Sequence, residues 1–423
     1  GSLCCRNNNC HEWHISLNIT GTGPGAIADG HGVQQLFVEE EGSRLHLSDM
    51  TLAHGNTSSG GAIYVLQSTV SFSGNTVFSS NYADEEGGAI YASSSNISWD
   101  GDGIQFSSNI AASSGGAIYA KFSTMSWDGD GTRFSSNSAK AWGGAIFASF
   151  TNVFWDGDGT QFSSNSAYEG GAIYAPYSSN VSWNGDGTLF SYNIADGYGG
   201  AIYAVSANVS WDGDGTQFSY NTADGYGGAI YALSANVSWD GDGTQLSYNT
   251  ADGYGGAIYL YESTVSWDGD GTEFSSNNAT EDGGAIYSST SSKVSWDGST
   301  TFNSNVAEGN GGALALIEFG YEKTEFTGAT FIDNSAGISA GALYLLNSVN
   351  GLSFSNITFQ SNSASQAGGA VAAYVSGTEK LPVTFSKCNF LDNEANGTGG
   401  AFEALSGHQE FSSCDFEGNS AGK

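Results

Sequence analysis

Carboxylates in Asp-Gly-Asp-Gly turns recur through the middle of this chain, mostly 28 residues apart. One column comprises Asp100, Asp128, Asp156, Asp212, Asp240, Asp268 and Asp297, interrupted by Asn184; a second comprises Asp102, Asp130, Asp158, Asp186, Asp214, Asp242 and Asp270. If successive copies stack, like charges lie ~5 Å apart and repel by roughly 1 kcal/mol in water and ~3 at an effective dielectric of 20. Two arrangements relieve that. Ca²⁺ would accept six to eight oxygens from carboxylates and turn carbonyls, whereas Asx turns would splay the carboxylates into solvent, screened by salt. No cofactor is required. Paired aspartates also serve glycoside hydrolysis, but identical pairs on every unit read as architecture and not as one tuned site. All six histidines lie outside the regular units, and Gly60 to Asn310 holds only four basic residues, so the expectation is a non-catalytic protein.

Three further sets of residues carry chemistry. Asn-x-Ser/Thr sequons occur at Asn18, Asn56, Asn96, Asn180, Asn208, Asn236, Asn278, Asn356 and Asn396. Strand parity turns the Asn-Val-Ser asparagines outward, so N-glycosylation along one edge is expected in a eukaryotic host. A column of Tyr64, Tyr91, Tyr119, Tyr174, Tyr203, Tyr231, Tyr259 and Tyr287, with Phe147 in step, also points outward. Such a row either docks sugars or another rod, or stabilises its own ladder by stacking. Cysteines sit only near the ends. Cys388 and Cys414 stand in matching contexts two residues before a phenylalanine, which places them on neighbouring coils and predicts a disulfide; the other reading is two reduced thiols filling the core. Cys4, Cys5 and Cys10 leave one thiol over, free or bonded to another molecule. Disulfides with sequons indicate an oxidising, extracellular setting.

What positions all of these is a repeat. Gly-Gly-Ala-Ile/Leu or a close variant begins at Gly60, Gly87, Gly115, Gly143, Gly170, Gly199, Gly227, Gly255, Gly283 and Gly311, then in drifting form at Ala340, Gly368 and Gly399. Each is answered by Phe-x-x-Asn, from Phe78 and Asn81 to Phe416 and Asn419, with Leu246 replacing the Phe in one copy. A period near 28 residues signals a solenoid. In the unit Gly199 to Tyr226, three apolar stretches (201–205, 208–211 and 216–220) are separated by Gly, Asp and Ser, as strands between turns require. The Ile202 position stays apolar in every copy while the Tyr203 position varies, so Ile faces in and Tyr faces out. Val209, Trp211 and Phe218 complete the interior, and the repeated Asn is expected to form buried amide ladders at a corner.

The resulting fold is all-β: a single-stranded, three-sided parallel β-helix of about 13 coils, each of roughly 28 residues. Residues 1–59 read as an N-terminal cap with irregular coils, 60–310 as the regular repeats and 311–423 as divergent C-terminal coils. The chain begins without Met or a leader and stops where another Gly-Gly-Ala is due, so it reads as a processed segment whose next coil is either truncated or supplied by another copy. No apolar run reaches the ~20 residues of a membrane-spanning helix. A net charge of -33 excludes nucleic acid and anionic membranes as partners, leaving cations and neutral sugars.

The paired motifs Gly-Gly-Ala-Ile and Phe-x-x-Asn resemble the repeats of the chlamydial polymorphic outer membrane proteins over Gly60 to Asn419. The resemblance implies a secreted, surface-exposed solenoid passenger region with a structural or adhesive role. That family's C-terminal membrane barrel is not found here, and the Trp-Asp-Gly-Asp-Gly block is not among its defining anchors. Two functions are therefore carried forward. The first is an extracellular rod that stacks head to tail with copies of itself into a glycosylated filament. The second is a cell-surface adhesin that binds a host surface protein, glycan or polysaccharide.

Overall fold

The computed structural model describes residues 16–22, 25–318, 324–347, 351–374 and 382–422. One coil of it contains four short strands. In the coil opened by Gly199 these are Ile202–Val205, Asn208–Trp211, Gln217–Ser219 and Thr222–Ala223. Each pairs in parallel with its counterpart one period on: Ile202 with Ile230, Trp211 with Trp239, Phe218 with Leu246, Ala223 with Ala251. The three longer strands are the expected walls. The fourth, two residues long, was not foreseen; it lies between the Asn corner and the next Gly-Gly pair.

Repetition of this coil builds sheets of 14 and 15 strands, a 14-stranded ladder of the short strands, and a Trp wall of 11 strands that continues as four more from Thr324–Thr327 onward. The result is a β-solenoid of about 14 turns, without helices among the described residues. Among the described residues no helix is long and apolar enough to cross a membrane. Within the first 59 residues, Ser16–Thr20, Ile27–Asp29 and Phe37–Glu40 pair with the strands that follow them, so this region is solenoidal where described.

Period-two alternation sorts the side chains. Ile202, Ala204, Val209, Trp211, Phe218 and Ala223 are all buried, as are their equivalents through the regular coils, whereas Phe411 and Phe416 in the last coil are exposed. Like side chains stack on like: Trp183 on Trp211 at 4.7 Å and Phe190 on Phe218 at 4.7 Å, with Trp211 meeting Phe218 edge to face at 5.3 Å. Those are the two favoured aromatic geometries, one along the axis and one across it. Trp267 donates its indole N–H to Thr300 Oγ1 at 2.8 Å, whereas the indoles of Trp99, Trp127, Trp155, Trp183, Trp211 and Trp239 are buried without a partner.

Each of the four corners contains one residue in the left-handed region: Ser206 (φ 50°), Gly215 (φ 68°), Tyr220 (φ 57°) and Gly227 (φ 66°). Only Gly227 is also sterically obligatory, since a Cβ there would stand 2.2 Å from the Ile230 carbonyl oxygen. The other corners accept a side chain and project it outward.

Candidate functional site: the polar and aromatic rows

Each coil places its polar residues at a corner or on an outer face, and the parallel register turns each position into a row. The asparagine of Phe-x-x-Asn is the most deeply placed. Asn193 is fully buried; its Nδ2 donates to Asn221 Oδ1 at 2.9 Å and to the Phe162 carbonyl at 3.0 Å, and its backbone N–H reaches the same Oδ1 at 3.1 Å. The pattern runs from Asn81 to Asn419. This is the amide ladder expected from the sequence, and it satisfies polar groups that could not be buried alone.

The second aspartate column makes a ladder of a different kind. Asp102 Oδ1 accepts the backbone N–H of Asp130 at 3.0 Å, and the pattern continues through Asp158, Asp186, Asp214 and Asp242 to Asp270 at 2.7 Å. Asp270 in turn accepts from the Ser299 N–H at 3.0 Å. The first column, Asp100, Asp128, Asp156, Asp212, Asp240 and Asp268, is exposed to solvent. In this column burial, followed by the charges of Asp100 and Asp156, pushes the Asp128 carboxyl up. In the second column a backbone N–H takes one oxygen of each carboxylate from Asp102 to Asp242, and among the described residues no group of three or more His, Cys, Asp or Glu side chains converges on a metal position.

Most of the sequon asparagines are exposed: Asn18, Asn96, Asn180, Asn208, Asn236, Asn356 and Asn396; Asn56 and Asn278 are half-buried. Asn180, Asn208 and Asn236 form a surface amide ladder, with Asn208 Nδ2 donating to Asn180 Oδ1 at 2.9 Å and Asn236 Nδ2 to Asn208 Oδ1 at 3.0 Å. The acceptor nitrogen of each of these three sequons is therefore already hydrogen-bonded.

The outward tyrosine column does face out, but it is not an open surface. Tyr119, Tyr203, Tyr231 and Tyr259 are less than 10% exposed, and Tyr64, Tyr91, Tyr174 and Tyr287 are intermediate. The cover comes from Tyr198, Tyr226 and Tyr254 in the preceding turns: Tyr198 stacks on Tyr231 at 5.0 Å, Tyr226 on Tyr259 at 5.0 Å, and Tyr254 meets Tyr287 at 4.5 Å. Together they form a second apolar layer outside the solenoid core. Burial raises the hydroxyl pKa of Tyr119, Tyr174, Tyr203, Tyr231, Tyr259 and Tyr287 above the ordinary phenol value, and that of Tyr344 to about 12.

The predicted disulfide is also corrected. Cys388 is buried, Cys414 is half-buried, and both are free thiols. Each sulfur is directed at a carbonyl of its own wall, Cys388 Sγ at Phe354 and Ser386 (3.5 and 3.4 Å) and Cys414 Sγ at Phe385 (3.4 Å). Burial pushes the Cys388 thiol up to about 11. Cys4, Cys5 and Cys10 lie outside the described residues.

Two exposed aromatic rows escaped the sequence reading. Phe122, Phe150 and Tyr177 stack at one corner, and Tyr192, Tyr220 and Tyr248 at another, all in the left-handed conformation. Bulky side chains seldom adopt that conformation, so no local signal marked them. Among the histidines, His46 places its two ring nitrogens against Ser71 Oγ (2.9 Å) and Ser73 Oγ (3.1 Å), an arrangement in which no carboxylate orients the imidazole.

The fold and its rows define a repetitive parallel β-solenoid whose polar residues serve the stacking of coils. Ten stretches match the Chlamydia polymorphic membrane protein (Chlamydia_PMP) repeat: residues 69–93, 103–121, 131–149, 159–176, 187–205, 215–233, 243–261, 271–289, 299–316 and 356–374. These ten stretches are repeats of that kind. Most of the matched windows begin at the end of the Asp-Gly-Asp-Gly turn, pass through Phe-x-x-Asn and finish on the Gly-Gly-Ala-Ile wall. The Trp wall and its aspartates fall largely outside them. No curated protein matches the chain.

Proposed function

We propose that this chain is a non-catalytic, surface-displayed rod of the passenger type, whose outer rows contact other macromolecules. The match of these stretches to the polymorphic membrane protein repeat supports surface association. The observation that carries the reading is the division of labour between rows. Asn193 and Asp214, the residues with the most chemical potential, are spent on inter-coil bonds, while side chains that vary from coil to coil, such as those at Ser164, Tyr192, Tyr220 and Ser276, project outward. A scaffold that repeats inside and varies outside is suited to display. Labelling of intact source cells with an impermeant amine reagent is expected to modify Lys121 and Lys140. Labelling only after lysis would refute surface display.

Head-to-tail association of copies is a second reading. It is favoured by the translational repeat itself: each coil donates to and accepts from both of its neighbours, so either edge of any coil carries the groups that a further coil would need. Electron microscopy would show filaments, and monomeric rods at working concentration would exclude them. N-glycans on the exposed sequons belong with either reading, and intact mass of native material without added hexose would remove them.

A further inference from the structure

The corner row of Tyr192, Tyr220 and Tyr248 is, with Phe122, Phe150 and Tyr177, one of two three-ring stacks of openly exposed aromatics among the described residues, and the one that lies beside a row of carboxylates. The three side chains are 55, 44 and 51% exposed, and their rings stack at 5.0 and 4.9 Å with tilts of 3° and 4°. Ser164 and Ser276 hold the same corner in the flanking coils, so the row ends abruptly on both sides. Two residues on, the short strand turns Ile194, Thr222 and Thr250 outward, and Ile194 is 47% exposed. Two further on stand Asp196, Asp224 and Asp252, all exposed. Beyond them lie Tyr198, Tyr226 and Tyr254. Three coils thus present an apolar row, an acidic row and a second aromatic row side by side.

Apolar surface left open on a soluble face marks an interaction site, and the charge pattern selects its occupant. No Lys, Arg or His occurs between Lys140 and Lys293, and none of the three aspartates has a cationic partner among the described residues. A second copy laid on this face would oppose aspartate to aspartate at a net charge of -33 per chain. Nucleic acid and anionic lipid are repelled for the same reason. A neutral sugar stacks on ring faces, and here the inner faces are covered by neighbouring rings, leaving edges and hydroxyls. Lysine and arginine meet what is left: their methylene stems lie along apolar ring edges while the charged heads reach carboxylates and phenol oxygens. The two terminal ring faces, on Tyr192 and Tyr248, are free for a cation.

We propose that this strip of Tyr192, Tyr220, Tyr248, Asp196, Asp224 and Asp252 is a docking surface for a Lys/Arg-rich segment of a partner protein. The proposal deepens the display reading by naming the chemistry of the partner, and rests on that reading for its setting. Its test does not. The full chain is titrated against a fluorescein-labelled oligo-arginine peptide by anisotropy in about 150 mM salt, where screening acts over ~8 Å. The variant Tyr192→Ser/Tyr220→Ser/Tyr248→Ser keeps the charge and installs the residue native to the flanking corners, which favours correct folding; a melting curve checks it. It is expected to weaken binding at least tenfold. Asp196→Asn/Asp224→Asn/Asp252→Asn should do the same. Asp212→Asn/Asp240→Asn/Asp268→Asn removes equal charge from another corner, with Asn184 as native precedent, and should change binding less than twofold. Unchanged affinity of the tyrosine variant, equal losses in the two aspartate variants, or no binding by the parent chain would each overturn the proposal. Those outcomes leave surface display untouched, since it is read by the labelling of intact cells.

Discussion

The Asn corner and the Asp corner solve the same stacking problem on opposite sides of the water boundary. The Asn row runs from Asn81 to Asn419 and the Asp row from Asp102 to Asp270, and both bond each member to the next coil. Asn221 is buried and neutral, and its amide donates and accepts within the row. Asp214 is exposed and charged, and its carboxylate can only accept, so it needs a backbone N–H from Asp242 as well as solvent. The difference shows that burial demands a side chain able to be its own partner. A carboxylate row is tolerated only where water and salt screen it.

Substituting Asn221→Asp should break the comparison most severely. It places a charge in the dry corner and removes the Nδ2 bonds to Asn249 and Phe190, at an expected cost of ~3–5 kcal/mol. Urea unfolding at neutral pH measures it, and acidification should restore part of the loss by neutralising the new carboxyl. An intermediate case is the covered tyrosine layer, outside the core but dry. Burial raises the pKa of Tyr203, Tyr231 and Tyr287 in the folded chain, so the stability it confers is complete below the ordinary phenol value near 10 and is lost as pH rises past it. Phenolate absorbance should therefore rise together with unfolding in strong alkali; titration of these rings with the fold intact would show them to be wet. A smaller effect is expected at the Asp corner. Asp214→Ala removes the acceptor for Asp242 and should cost about 1 kcal/mol, while Asp214→Asn keeps an acceptor and relieves repulsion, leaving thermal stability within ~0.5 kcal/mol. The smallest effect is that of a calcium chelator, which should leave the melting temperature unchanged. A clear fall would restore a cation to the aspartate columns.

Much of this architecture was legible because stacking repeats one residue type at one position. Ile202, Trp211 and Phe218 declared the core by staying apolar, and the Asn row followed from a polar residue locked three places after an inward Phe. What escaped depended on geometry between turns. The strand at Thr222–Ala223 is too short for alternation to mark it. The corners at Ser206 and Tyr220 take the left-handed conformation without the Gly or Asn that signals it. The cover over Tyr231 comes from Tyr198, whose ring crosses from the adjacent turn above Gly225, where a Cβ would stand 2.8 Å from the ring. Neighbouring positions for Cys388 and Cys414 were readable; that both thiols stand free was not.

The one-way run of side-chain amides has a consequence for length. Each asparagine receives from the coil before it and gives to the coil after it, so no coil in the regular stretch is marked as first, middle or last. Duplication or excision of one complete period would leave every type of bond intact and alter the reach of the molecule by a single strand spacing, about 4.8 Å. A slip of one residue would instead turn the whole interior outward. The protein is in this sense a ruler with fixed graduations, free to change its extent in whole marks and barred from any fraction of one.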